Sequence, residues 1–318
     1  MKSINRRQFL GAAALAGAGM TVTPSAVLGN IAPMSLGAND KPALSCDTAH
    51  NDGSLYGVKG TYAAPPLNGD GSINLELLLK ELKGLHANTY NWLIAYNDFF
   101  GLDYVKKFLP MACRENINVW VTILPPTEQP LLGWSEPYRL EFEKWAEELA
   151  TLSLTHKNLV AWSVDDFGHN LFFFIPKYVE QFIQKAKGIN PNFKFVPCLY
   201  YWEFPKSFVE KYLSFFDGIL FPYFAASAPD KGNLKDPTLV GSEIAEIRSR
   251  IKRDIPIILD IYAHAHSQYG ETTPEYIETI LELGMKSADG ILIYCHQNPV
   301  IHAEKYQIIS KAFEDYHQ

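Results

Sequence analysis

Residues Ala161-Trp-Ser-Val-Asp-Asp-Phe-Gly-His169 read as an apolar strand that ends on two adjacent carboxylates. Burying an unpaired carboxylate is costly, so such a pair needs a partner, a proton or a chemical task. In a barrel of parallel strands, the C-terminal exit of a strand is the catalytic face. The fold therefore turns on whether the rest of the chain repeats this strand.

It does so eight times. Strand-like runs fall at Leu55–Tyr62, Asn88–Ala95, Ile117–Leu124, Leu159–Asp165, Phe193–Tyr200, Gly218–Tyr223, Ile255–Tyr262 and Gly290–Cys295. Amphipathic stretches lie between them, including Leu75–Leu85, Tyr138–Thr155, Pro176–Ala186 and Pro274–Met285. Pro176, Pro205 and Pro274 stand where first helical turns are expected. Mostly apolar strands without strict alternation suit a parallel sheet covered on both faces. Strand–helix alternation on this scale predicts an α/β fold, a single (β/α)8 TIM barrel, over residues 39–318. A doubly wound open sheet is the alternative, but no Gly-rich phosphate loop follows the first strand.

The bulk numbers agree. Of 318 residues, 47% are hydrophobic and 13% aromatic, enough for a large core. The formal net charge of −7 makes nucleic acid a poor partner and favours a neutral one such as carbohydrate. Residues 1–38 read as an export signal and lead-in. Asn5-Arg-Arg-Gln-Phe-Leu10 followed by a small-residue apolar stretch resembles a twin-arginine signal. That stretch is too short to span a bilayer. A periplasmic or secreted protein, exported folded and without an integral membrane segment in its mature chain, is expected. The cysteines, Cys46, Cys113, Cys198 and Cys295, show no Cys-x-x-Cys spacing and read as buried thiols.

The strand exits carry the candidate chemistry. They offer Tyr62 from the first strand, Tyr96, Asn97 and Asp98 from the second, and Asp165, Asp166 and His169 from the fourth. The fifth adds Tyr200, Tyr201, Trp202 and Glu203, and the sixth Tyr223 and Phe224. The seventh contributes Asp260, Tyr262, His264 and His266, and the eighth His296, Gln297 and Asn298. Rings, amides and carboxylates converging on a concave end suit a sugar, whose apolar faces stack while its hydroxyls hydrogen-bond. Adjacent extended residues point opposite ways, so Asp165 and Asp166 take different tasks. Their repulsion raises one pKa, as a general acid near neutrality requires. The expected catalytic residues are thus Asp165 and Asp166. The substrate contacts are drawn from Tyr62, Tyr96, Asn97, Tyr201, Trp202, Tyr223, Asp260, Tyr262 and Asn298. No cofactor is called for. Two other readings stay open: a carbohydrate-binding barrel without catalysis, and a metal-dependent hydrolase in which His264 and His266 bind a cation with Asp260 or Asp165.

These residues resemble glycoside hydrolase family 84, the β-N-acetylglucosaminidases that include O-GlcNAcase. The matching pieces are Gly57-Val-Lys-Gly-Thr-Tyr62, Asn88-Thr-Tyr90, Asp165-Asp166, Asn298-Pro299 and Ala303-Glu304, in family order over most of residues 55–316. The resemblance implies retaining, substrate-assisted hydrolysis, an exception to the usual two-carboxylate scheme. Asp165 would polarise the acetamido group of the sugar, and Asp166 would serve as acid and then base. The chain departs from the family where the sugar is gripped. It reads Ile94-Ala-Tyr-Asn-Asp-Phe99 in place of a Lys-Asp-Asp stretch, Phe221-Pro-Tyr-Phe224 in place of Trp-Thr-Gly, and Leu259-Asp-Ile261 in place of Trp-Asp-Asn. Those departures imply retained acid chemistry with a different sugar preference.

Overall fold

A computed structural model describes residues 53–316 apart from 64, 98, 264, 267 and 268, with only the backbone at 265 and 266. The export-signal expectation, Cys46, Asp98 and His264 therefore lie outside the described residues, as does the side chain of His266.

Among the described residues, eight parallel strands form one sheet. They are β1 (Val58–Tyr62), β2 (Thr89–Ile94), β3 (Asn118–Ile123), β4 (Leu159–Val164), β5 (Lys194–Phe195), β6 (Ile219–Tyr223), β7 (Ile257–Tyr262) and β8 (Gly290–Tyr294). The hydrogen-bonded order is β5-β4-β3-β2-β1-β8-β7-β6. A parallel bridge from Cys198 to Leu220 joins the two ends, so the sheet curls into a barrel. Each strand is followed by a helix: α1 (Leu75–Gly84), α2 (Leu102–Arg114), α3 (Phe142–Thr155), α4 (Pro176–Ile189), α5 (Lys206–Tyr212), α6 (Val240–Ile251), α7 (Pro274–Ser287) and α8 (Ala303–Asp315). The predicted (β/α)8 architecture is what the chain adopts.

Local chemistry explains the element ends. Asn74 caps α1 by accepting the Leu77 N–H at 2.8 Å, and Thr273 caps α7 through the Tyr276 N–H at 3.2 Å. Pro176 and Pro274 open α4 and α7, while Pro205 stands one residue before α5. At Gly60 an added Cβ would lie 1.8 Å from the Thr89 carbonyl oxygen, so β1 and β2 meet closely only because no side chain intervenes.

β5 is shorter than the predicted Phe193–Tyr200. Pro197 has no N–H to donate, and the Asp217 carboxylate takes the Phe195 N–H at 2.8 Å in place of a neighbouring strand. Cys198 and Cys295 are free and buried as expected. Cys113 corrects that expectation: it is disulfide-bonded.

An aromatic cluster holds the β4–β5 side of the barrel. Trp162 packs on Phe182 of α4 and on Phe195, with ring centroids 5.4 and 4.8 Å away. Phe167, immediately after the two aspartates, stacks on Phe174 at 4.9 Å and meets Phe195, Tyr212 and Phe216 edge-on. Burying a phenylalanine side chain stabilises by roughly 1.5–3 kcal/mol. This anchors the residue that follows the catalytic candidates.

Candidate active site

Alternation along β4 sets the direction of each carboxylate. Trp162 faces the helices, so Ala161, Ser163 and Asp165 share the inner face of the barrel. Asp165 is still in the ladder, its N–H donating to the Ile123 carbonyl at 3.1 Å. Asp166 leaves it in the left-handed region, at φ 41° and ψ 39°. A non-glycine residue held there costs about 1–3 kcal/mol and persists only where its surroundings enforce it. The enforcing contacts are present. Phe167 is locked in the aromatic cluster, and the Asn170 amide donates to the Asp166 carbonyl at 2.9 Å. Asn170 in turn exchanges hydrogen bonds with Thr127, tying the loop after β3 to the loop after β4.

Asp166 thereby turns toward the exit of β5. Its Oδ1 accepts the Tyr200 hydroxyl at 2.6 Å, and its Oδ2 lies 3.7 Å from His169 Nδ1. The other ring nitrogen of His169, Nε2, is 3.2 Å from Glu203 Oε1. Glu203 Oε2 accepts the Tyr200 N–H at 2.9 Å. Asp165, Asp166 and Glu203 are all buried. Burial pushes the Glu203 carboxyl up to about 7, with the Asp166 charge adding to the rise and His169 and the Tyr200 N–H opposing it. Gly168 leaves room for that carboxyl, since a Cβ there would sit 2.2 Å from it.

Three rings lie nearly parallel beside Asp166. His169 and Tyr200 stack at 5.0 Å and 14°, Tyr200 and Trp202 at 5.2 Å and 5°, and His169 and Trp202 at 6.1 Å and 18°. Phe224 meets Tyr200 and Trp202 edge-on, and Tyr269 stacks on Phe224 at 5.2 Å. Trp202 is 48% exposed, so this platform reaches solvent.

Deeper in the barrel, Tyr62, Tyr294 and Tyr262 occupy one level of the β1, β8 and β7 register, with neighbouring rings 5.5 and 5.2 Å apart. Leu259 points outward to Gly284 of α7, so Asp260 and Tyr262 face inward with that belt. Carboxylate oxygens of Asp165 and Asp166 and the Cys198 sulfur lie within 4.8 Å of one another, a donor set able to hold a cation. Oxygen and thiolate donors in one set match no single metal preference strongly.

Other expected contacts have partners of their own. The Tyr201 hydroxyl bonds Glu246, and its ring lies under Arg250, with the guanidinium 4.8 Å away, against α6. Tyr223 points out of the barrel, its hydroxyl donating to the Asp236 carbonyl at 2.7 Å in a space shared with Tyr276 and Glu243. Asn97 accepts the Trp134 N–H at 3.0 Å, and Asn298 accepts from Val300 and Ile301 in a turn. Tyr96 packs its ring on Phe100 at 5.3 Å, and burial raises its hydroxyl well above the usual range. The residues that instead surround Asp166, namely His169, Tyr200 and Glu203, stand among the strand exits but outside the expected contacts. Alternation could have found Tyr200, because it shares parity with Cys198, whose sulfur lies beside the aspartates. Glu203 stands at the third position after Tyr200, the capping-box spacing.

Solved structures with this fold include carbohydrate-active enzymes. A family 2 β-galacturonidase from Eisenbergiella tayi superposes with a TM-score of 0.53 at 11% identity, covering 82% of this chain and 51% of that one. A β-D-glucuronidase from Dictyoglomus thermophilum gives 0.54 at 13% identity, covering 82% and 50%. A β-glucanase from Saccharophagus degradans gives 0.57 at 13% identity, covering 80% and 88%. The chain thus spans about half the length of the first two and most of the third. At these identities the likeness is one of fold. It is shared with glycoside hydrolases of several kinds and does not single out the family 84 enzymes that the short motifs resemble. No protein-family sequence model and no curated protein sequence matches the chain.

Proposed function

We propose that this chain is an exported glycoside hydrolase whose reacting carboxylates are Asp165 and Asp166. The observation that carries the reading is the divergence of two adjacent buried aspartates at the barrel mouth. One faces the barrel axis, and the other is turned toward the Tyr200–His169–Trp202 rings. General acid–base catalysis contributes about 10²–10⁴-fold and needs a carboxyl that holds its proton near neutrality. Asp166 is buried beside Asp165 and accepts the Tyr200 hydroxyl.

In this mechanism Trp202 stacks a sugar ring and Asp166 protonates the departing glycosidic oxygen. Asp165 lies on the axial side, where positive charge develops on the sugar. On an N-acetylated sugar it would hold the acetamido group as that group's oxygen attacks the anomeric carbon. Asp166, now a carboxylate, then takes a proton from the incoming water and is reset. Asp260 and the inner tyrosines shape the floor of the site. The twin-arginine-like start supports folded export to the periplasm or beyond.

The test is hydrolysis of a panel of chromogenic glycosides, β-N-acetylglucosaminide and uronides included, by wild type and Asp166→Ala. Asp166-dependent release of one sugar supports the reading, and proton NMR of the first-formed anomer separates retention from inversion. Glycan binding without release by a folded protein would leave a binding barrel. The Asp165–Asp166–Cys198 cluster favours a metal-dependent hydrolase as the second reading. Stoichiometric bound metal with chelator-sensitive turnover would replace the first reading with it.

A further inference from the structure

We infer that His169 and Glu203 form a proton relay that sets the charge state of Asp166. The inference rests on the hydrolase reading and deepens it, by naming what controls the acid.

The geometry is a chain of three groups. His169 places Nδ1 3.7 Å from Asp166 Oδ2 and Nε2 3.2 Å from Glu203 Oε1. Both carboxylates are almost sealed, with side-chain exposures of 2% and 7%, whereas the imidazole between them is 34% exposed. Among the described residues, the ring thus links water to two buried acids. Its orientation is fixed by stacking on Tyr200 and Trp202. Glu203 is fixed by the Tyr200 N–H and by the space that Gly168 leaves open.

Among the described residues, the titratable groups around the relay act on it in definite directions. From the loop after β4, Asp165 and Asp166 contribute negative charge. From the exit of β5, Glu203 adds negative charge only once it loses its proton, above about 7, and the Tyr200 hydroxyl donates to the Asp166 carboxylate. Cys198 adds a thiol beside the aspartates. With Glu203 holding its proton up to about 7, the cluster retains a transferable proton at neutral pH. The transfer balances. Glu203 Oε1–H gives its proton to His169 Nε2, and the imidazolium gives its Nδ1 proton to Asp166 Oδ2. Neutral imidazole remains in the other tautomer, and one O–H and one N–H bond form as one of each breaks. The 3.7 Å separation must shorten during transfer, as is common for catalytic contacts that tighten only with substrate bound.

The experiment is an NMR pH titration of the His169 imidazole in the full chain, in wild type and in Glu203→Gln, with His169→Gln to assign the signal. The relay predicts a two-step curve in wild type. It predicts a single step with a lower midpoint in Glu203→Gln, because the imidazolium loses an anionic neighbour. Identical one-step curves in both proteins would overturn it. The companion measurement is turnover of the glycoside identified by the panel. His169→Gln should slow substrates with poor leaving groups about tenfold or more, leave dinitrophenyl glycosides little changed, and recover when imidazole is added. A merely structural histidine would slow both substrates equally and would not respond to imidazole. Coupled titration without any glycoside cleavage would count against the hydrolase reading alone. Asp166-dependent cleavage with uncoupled titration and no rescue would remove the relay alone.

Discussion

The Tyr200 hydroxyl donates to Asp166 Oδ1 at 2.6 Å, with both residues buried. A hydrogen bond to a charged group contributes about 1.5–3 kcal/mol, and here it favours the carboxylate over the carboxylic acid. Tyr200→Phe should therefore raise the Asp166 pKa. In a bell-shaped kcat profile, the alkaline limb, which requires protonated Asp166, moves to higher pH by about one unit. An unmoved limb would mean that Asp166 is not the acid. The same variant loses half of a ring pair only in its polar tip, so its Tm should fall modestly.

Gly168 is the steric counterpart of that contact. An alanine Cβ at this position would lie 2.2 Å from the Glu203 carboxyl, which must then move. Overpacking of this kind costs about 1–3 kcal/mol. Gly168→Ala should lower Tm measurably and weaken coupling between His169 and Glu203. Pairing it with Glu203→Ala, which vacates the space, should restore most of the lost Tm.

The raised Glu203 carboxyl has a stability signature with a defined sign. Its folded value of about 7 lies above the ordinary 4.5, so the folded state binds the proton more tightly. Below the ordinary value both states are protonated and the contribution is fully present. As pH rises through the folded value it is lost, by an amount of about 3 kcal/mol. Glu203→Gln removes the titration. Its Tm relative to wild type should improve steadily between about pH 5 and pH 8. A difference independent of pH would show that Glu203 ionises normally.

How much of this was legible in the sequence follows from what each signal depends on. Buried parallel strands such as Leu159–Val164 are continuous apolar runs, and their alternation with amphipathic stretches needs no long-range information. The place of Asp165 and Asp166 at the β4 exit was legible for the same reason: two charges directly after such a run must be accommodated. Their partners were harder. Tyr200 and Tyr201 are adjacent and chemically alike, and only the phase of a strand interrupted by Pro197 decides which meets Asp166. Tyr223 ends β6 as Tyr62 ends β1, yet it points to the helices while Tyr62 points inward. Glu203 reads as a helix-capping acid, and its proximity to His169 arises from the approach of two loops far apart in sequence.

Those placements predict different outcomes for exposed and packed rings. Trp202 is half-exposed on the platform, so Trp202→Ala should raise KM about tenfold and lower Tm modestly through its lost contacts with Tyr200 and Phe224. Tyr201→Phe and Tyr223→Phe should leave KM and kcat alone. Tyr223→Phe should also lower stability by about 1 kcal/mol through its lost bond to Asp236. A kinetic defect in Tyr223→Phe without a stability change would contradict its placement.

The central claim is that Asp166 donates the proton to the leaving group. Its most direct test is the leaving-group dependence of kcat/KM across aryl glycosides of the identified sugar, for wild type and Asp166→Ala. A shallow dependence is expected in wild type and a steep one in the variant. Dinitrophenyl substrates should be spared, while poor leaving groups are slowed by about 10²–10⁴-fold. Equal slopes in the two proteins, or full activity in Asp166→Ala on the poorest leaving group, would contradict it.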